Sequence, residues 1–374
     1  MAVKPLTPGG VPGQSHRLCS SHLSSIDGWR AVSIILVLGG HYHCAIGFRP
    51  EWTSAFAWLF DADLGVRFFF VISGFLITYL LAQERQRKGD VSLKKFYIRR
   101  ALPILPVYYA FLLFVVGLAL FSKFRQSPSA WVGNWTFTTD FLPGSWTTGH
   151  LWSLSVEQQF YLLWPTLFAM ASRRGWRCFP FWAAALPLVI APVCRIMAYK
   201  LLYPAFLKPF FEVYSFFIYF DSIAVGCLAA LLLTAYTEQF SALLLRHRRA
   251  LLCSAVLLLA APYVLERLSL LNALTVPLGS TAQAAGIGVL LVLSILRPEN
   301  FRFLNWPFMQ WIGVLSYSIY IWQEIFCAKP AMFGWPDMFW MSFPWWPLAA
   351  VGAAAVSYYG LERPVLKLRA SFRT

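Results

Sequence analysis

Residues 64–82 read LGVRFFFVISGFLITYLLA, a nineteen-residue run in which Arg67 is the only charge. A helix needs roughly 20 mainly apolar residues to cross the hydrocarbon core of a bilayer, and this run has that length. It is too long for a strand and has no polar stripe at the 3.6-residue period to turn toward water. Outward from it, nine further segments share its character: near 30–48, 101–121, 151–171, 179–199, 211–235, 250–265, 277–296, 311–328 and 344–361. The composition agrees: of 374 residues 59% are apolar, 18% aromatic and only 13% charged, and the mean hydropathy is +0.59. A soluble domain carries about 25% charged residues. Soluble globular, coiled-coil, collagen-like and disordered classes are therefore excluded. The expected fold is all-α, a polytopic transmembrane helical bundle of about ten spans.

The net charge of +15 does not carry a nucleic-acid reading, which needs a contiguous basic face. With ten spans both termini share one side with the loops at 83–100, 172–178, 236–249 and 297–310. That side holds 22 of the 31 Lys and Arg, the other holds seven, and Arg67 and Arg195 lie within spans. By the positive-inside rule both termini are expected in the cytoplasm, in a multi-pass protein of the cell (inner) membrane. The outer loop at 122–150, rich in Trp, Thr and Gly, is the expected extracytoplasmic binding surface. Seven cysteines show no CxxC pair, hence no disulfide framework and no metal pattern. The first 25 residues are polar and Pro/Gly-rich, unlike a signal peptide, so the first span is expected to be retained. The chain divides into a polar cytoplasmic segment (1–25), one membrane domain (26–365) and a short basic cytoplasmic tail (366–374).

Ionisable groups within spans are costly and point to function. The first span opens Asp27-Gly28-Trp29-Arg30 and ends at His41. Eleven residues separate Arg30 from His41, which on a helix puts them on one face to within about 20° and about 16 Å apart. A cytoplasmic anchor and a core histidine are the plain alternatives for this pair. The fourth span opens His150-Leu151-Trp152-Ser153 and carries Glu157; His150 and Glu157 share a face, with Ser153 one turn before the carboxylate. Helix-start residues and a satisfied neighbour are the plain readings here, but a buried carboxylate is too expensive for an ornamental role. His41 and Arg67 are its candidate partners. Weaker signals are Ser73-Gly74, whose small side chains allow close helix approach, Asp221 as a structural partner for a basic group, and Gln323-Glu324.

Taken together these stretches resemble the acyltransferase 3 family of integral membrane O-acyltransferases. The first span is similar to that family's opening pattern, Asp27-Gly28-Trp29-Arg30 followed by His41. Gly65–Ile77 resembles the second signature and Phe96–Tyr109, with Arg99 and Arg100, the third. His150–Pro165, Ser316–Trp322 and Glu362-Arg363-Pro364 resemble the remaining ones, so the likeness runs over residues 26–365, an acyltransferase-3-like membrane domain. There are departures: Arg67 stands where an acidic residue is usual, Pro103 where a further arginine is common, and Gln323 where His often follows Trp322. The last argues against an essential chemical role at Gln323. No esterase-like domain is expected after the tenth span.

The resemblance implies transfer of an acyl group, acetyl or succinyl, from acyl-CoA to a hydroxyl of a glycan or glycolipid at the outer side of the membrane. Acetyl-CoA or succinyl-CoA is then a donor substrate, with no permanently bound cofactor and no metal. Arg30, Arg99 and Arg100 are expected to bind the polyanionic donor. His41 is expected to act as general base with Glu157 orienting or stabilising its imidazole. His150, Trp152, Ser153, Arg67, Ser73 and Tyr317 are expected to form or support the acceptor pocket. No Ser/His/Asp nucleophile pattern favours a covalent intermediate. The alternatives are an acyltransferase for a cytoplasmic small metabolite, and a glycan or lipid transporter, whose mark would be paired helix breaks in two halves; Pro and Gly here are scattered.

Overall fold

A computed structural model describes residues 24–142, 144–201 and 215–370. Most of the polar N-terminal segment, the start of the predicted sixth span and the last residues of the basic tail lie outside the described residues. Each expected apolar segment falls largely on helix where it is described. In chain order these are α1 (Ser24–Gly40), the short α2 (Thr53–Leu59), α3 (Ala62–Lys88), α4 (Leu93–Phe121), α5 (Pro128–Thr136) and α6 (Trp146–Gly149). There follow α7 (Leu151–Arg173), α8 (Phe179–Ala185), α9 (Pro187–Lys200), α10 (Phe216–Ala235), α11 (Thr237–Arg246) and α12 (Arg248–Arg267). The set closes with α13 (Asn272–Leu296), α14 (Pro307–Cys327), α15 (Trp346–Ser357), a π turn at Tyr358–Glu362 and α16 (Arg363–Ala370). Among the described residues there is no strand, only one bridge between Ile46 and Ser342. Six stretches are long and apolar enough to cross a membrane: Pro50–Lys88, Leu93–Phe121, Phe179–Lys200, Phe216–Ala235, Arg248–Arg267 and Asn272–Leu296. The protein is thus a multi-pass helical membrane protein; α1, α7, α14 and α15 are shorter or more polar than that standard.

Helix α3, which holds the run read first, is the central post and packs against α1, α7, α10 and α13. Its start is set by Asp61, whose side chain accepts from the Leu64 amide at 2.9 Å, and its end by Gly89 with φ 78°, the left-handed cap that glycine adopts without strain. The crossing of α3 and α10 is reciprocal. A Cβ at Gly74 would strike the backbone of Ile223, and one at Gly226 would strike the backbone of Val71 and Phe75. Both positions hold glycine because the two backbones are in contact. Helix α14 lies against α1 on one side and α15 on the other, while α9, α10, α12 and α13 form the opposite flank.

Two boundaries differ from the sequence reading. The segment 83–100, expected as a loop, is helical except at Gly89–Ser92, since α3 runs to Lys88 and α4 begins at Leu93 with Ser92 as its cap. Basic residues end the apolar run there without ending the helix. The first helix, expected over 30–48, starts six residues earlier and stops at Gly40, so His41 lies in the turn after it. Gly39-Gly40 explains the stop: their missing side chains admit Phe60 and Ala62 from the start of α3.

Candidate active site

Two cavities lie in the interior. The first, about 630 Å³, is lined by Arg30 from α1, Ser73 from α3, Arg100 from α4, Ser153, Glu157 and Tyr161 from α7, Tyr317 and Tyr320 from α14, and Glu362. The second, about 1010 Å³, is lined by His41, Asp63, Arg67, Asp140, Trp146, His150, Trp152, Tyr219, Tyr320 and Glu324. Val66 and Tyr320 belong to both linings, so the cavities share that wall. The Arg30 end is called inner below and the His41 end outer.

At the outer end two histidines converge on one carboxylate. His41 Nδ1 lies 2.8 Å from the Val37 carbonyl oxygen. A carbonyl only accepts, so Nδ1 carries the proton and Nε2 is left with a lone pair. Nε2 stands 3.7 Å from Glu324 Oε1, and His150 Nδ1 stands 2.9 Å from Glu324 Oε2. His150 Nε2 in turn meets the Ile321 carbonyl at 3.0 Å, and the Tyr320 hydroxyl donates to the His150 carbonyl at 2.9 Å. His150 and Glu324 are both 4% exposed. The 2.9 Å approach of the His150 ring to Glu324 lacks hydrogen-bond geometry, leaving His150 Nδ1 and Glu324 Oε2 buried without a hydrogen-bond partner, a costly arrangement of the kind that marks functional sites.

The carboxylate of Glu157 points elsewhere. It accepts from Ser73 Oγ at 2.6 Å and from the Tyr161 hydroxyl at 3.3 Å, inside the inner cavity with Arg30 and Arg100. The seven-residue spacing does put His150 and Glu157 on one side of α7, but two turns of rise, about 10 Å, carry them into different cavities. Glu157 is therefore not brought to His41 or to Arg67. Arg67 donates to Asp63 at 2.8 Å and to Gln283 at 2.9 Å, and the Tyr219 hydroxyl donates to the same Asp63 at 2.9 Å. Asp221 takes the structural role anticipated for it, accepting from Arg195 at 2.7 Å.

Of the three arginines singled out for a polyanionic donor, Arg30 and Arg100 line the inner cavity, Arg30 standing 3.5 Å from Asp27 of the same lining, whereas Arg99 donates to Glu84 at 2.9 Å and is not part of the lining. Ser73, Ser153 and Tyr317 fall on the inner cavity, Trp152, Arg67 and His150 on the outer one. Tyr317 donates to the Ile104 carbonyl at 2.8 Å, and Ser153 shares a 2.6 Å hydrogen bond with Tyr320. Gln323 is fully buried and lines neither cavity. The 122–150 segment contributes Thr139, Asp140, Gly144, Ser145, Trp146 and Gly149 to the outer lining. Burial there pushes the Asp140 carboxyl up to about 7, against the opposing hydrogen bond from Gln159. Among the described residues no group of three or more His, Cys, Asp or Glu is placed to hold a metal ion.

Glu324, Tyr320 and Val66 are the site residues that the sequence reading did not single out as such. Glu324 carried the right signal, an acid within an apolar helix; its proximity to His41 depends on the α1–α14 packing. Val66 is an ordinary apolar residue of a span, and only its place between two cavities distinguishes it.

The family model for this acyltransferase domain matches residues 23–362, and the chain belongs to the acyltransferase 3 family. It is similar to "Peptidoglycan O-acetyltransferase OatA" of Listeria monocytogenes, 26% identical over 330 residues that cover 82% of this chain and 50% of the relative. It is also similar to a Bacillus subtilis protein named "Putative peptidoglycan O-acetyltransferase YrhL", 24% identical over 381 residues, 94% of this chain and 55% of the relative. The chain spans about half the length of these curated relatives. No solved structure matches it.

Proposed function

We propose that this protein is a membrane O-acyltransferase that moves an acyl group, acetyl foremost and succinyl next, from cytoplasmic acyl-CoA to a glycan hydroxyl at the outer face, with both termini in the cytoplasm. The observation that carries the reading is the pair of cavities sharing the Val66–Tyr320 wall, one presenting Arg30 and Arg100 beside Asp27, Glu157 and Glu362, the other holding His41 and Glu324. The names of the relatives support a cell-wall glycan as acceptor.

On this reading Arg30 and Arg100 meet the phosphates of the donor, as point charges and forked donors do for phosphate oxygens. The thioester reaches past Tyr320 toward His41. The acceptor hydroxyl oxygen attacks the thioester carbonyl carbon while His41 Nε2 takes its proton. The carbon–sulfur bond then breaks, and the imidazolium returns the proton to the departing thiolate, giving the ester and free coenzyme A. Glu324 stabilises the imidazolium between these two transfers, and His150 holds Glu324 in place. The Glu157–Ser73–Tyr161 group shapes the donor cavity instead of serving the base. A positioned general base contributes roughly 10²–10⁴ in rate.

The test is incubation of the membrane-embedded protein with radiolabelled acetyl-CoA and soluble peptidoglycan fragments. Label is expected in the glycan, and His41→Ala is expected to lower the rate by about 10²–10⁴. Unreduced transfer by a correctly inserted His41→Ala protein overturns the assignment of the base. Absence of labelled glycan with a panel of acceptors, alongside export of unmodified glycan, would favour the transporter.

A further inference from the structure

We infer that Cys44 and Cys327 form an oxidation site, a thiol pair that reacts with an exchanging disulfide and closes into a cross-link between the turn that carries His41 and the helix that carries Glu324. The positions are matched. Cys44 lies three residues after His41, in the 3₁₀ turn Tyr42–Cys44, and Cys327 lies three residues after Glu324, as the last residue of α14. The two side chains lie within interaction range of each other. They pack in one small cluster with Ala45, Phe343 and Trp346. Cys327 is fully buried and Cys44 half-buried.

Disulfides demand side chains that already approach each other, because a backbone displacement to close the bond stores strain. Two thiols packed into one cluster from elements far apart in sequence approach that condition. Reactivity also requires a way in, and the exposed part of Cys44 supplies it. The chemistry balances as a two-step exchange. The Cys44 thiolate attacks a small or protein disulfide, forming a mixed disulfide and releasing one thiol. The Cys327 thiolate then attacks the Cys44 sulfur and expels the second. The two cysteine thiols lose two electrons and two protons in all, and the incoming disulfide is reduced to two thiols. The cross-link tethers the end of α1 to the end of α14, across the His41–Glu324 pair. It involves neither acyl donor nor acceptor, so it can be tested whether or not the proposed reaction holds. The same end of the molecule is the one proposed to face outside, where disulfides persist.

The experiment uses the full chain in membrane vesicles treated with oxidised glutathione, then quenched with N-ethylmaleimide and digested without reductant. The expected result is a peptide joining Cys44 to Cys327 that dithiothreitol removes, with the exposed Cys178 still reactive toward maleimide. Oxidation is also expected to raise the apparent melting temperature of the wild-type protein and not that of Cys44→Ala or Cys327→Ala. Alanine is used because a serine hydroxyl at the fully buried Cys327 position would need a new partner. Recovery of both cysteines as maleimide adducts after oxidation overturns the inference. So does a glutathione adduct that persists on Cys44, or a cross-link from either residue to a different cysteine.

Discussion

On the proposed mechanism His41 owes its usefulness to a hydrogen bond at its other nitrogen. With Nδ1 donating to Val37 at 2.8 Å, the ring is locked in one tautomer, and a ring at that position lacking a basic nitrogen cannot substitute. Glu324→Gln keeps the size of the side chain and removes the charge beside Nε2. On the proposed mechanism it is expected to lower kcat by about tenfold to a hundredfold with little change in the donor KM, the pattern of lost transition-state stabilisation. Steady-state kinetics with varied acetyl-CoA distinguishes this from Arg30→Ala, for which the donor KM is expected to rise about tenfold. Arg99→Ala is expected to leave that KM unchanged, because Glu84 already engages the guanidinium. Asp140 gives a pH prediction. Its carboxyl, raised to about 7 from 3.8 by burial, keeps a proton in the folded protein that the unfolded chain has lost. Stability therefore falls as pH rises from about 4 to about 7, by up to about 1.4 kcal/mol per unit. Asp140→Asn is expected to flatten this slope, as read from apparent melting temperatures across that range.

At the scale of elements the decisive contacts are between backbones. Gly74 and Gly226 each lie against the opposing helix with no space for a Cβ, and small residues at such crossings are what let transmembrane helices associate closely. Gly226→Val is expected to cost about 1–3 kcal/mol or more through forced separation of α3 and α10, seen as a lower apparent melting temperature and loss of monodisperse protein in detergent. Gly360→Ala, where a Cβ meets nothing within 4 Å, is the matched control. Helix existence was legible because long apolar runs have few other solutions. Helix ends were less so. Arg30 and His41 do not share one continuous helix: Gly39-Gly40 closes α1 and places His41 in a turn, where φ of −88° and ψ of 11° aim its ring. The glycine pair was the available cue, and it was outweighed by the apolar and aromatic residues that follow. Likewise the stripe of His150, Ser153 and Glu157 was visible from spacing, but its division between two cavities depends on Tyr320 arriving from α14, more than 150 residues away.

For the molecule as a whole, the two cavities meet at one wall. Val66 narrows the junction from α3, and Tyr320, pinned by Ser153 and the His150 carbonyl, narrows it from α14. Val66→Ala is expected to raise the butyryl-to-acetyl transfer ratio severalfold in competition between the two thioesters. An unchanged ratio would mean that acyl length is read somewhere else. If donor and acceptor enter the two cavities separately, as proposed, a nucleotide thiol and an esterified saccharide need never queue at the same doorway. Spent carrier should therefore compete with fresh carrier alone and leave saccharide saturation untouched, and the finished polymer should be free to depart while the other compartment reloads. On the proposed reaction such a molecule would trade across an insulating sheet without exchanging anything but an acyl fragment, and the lipid barrier around it would keep its ion tightness through every turnover.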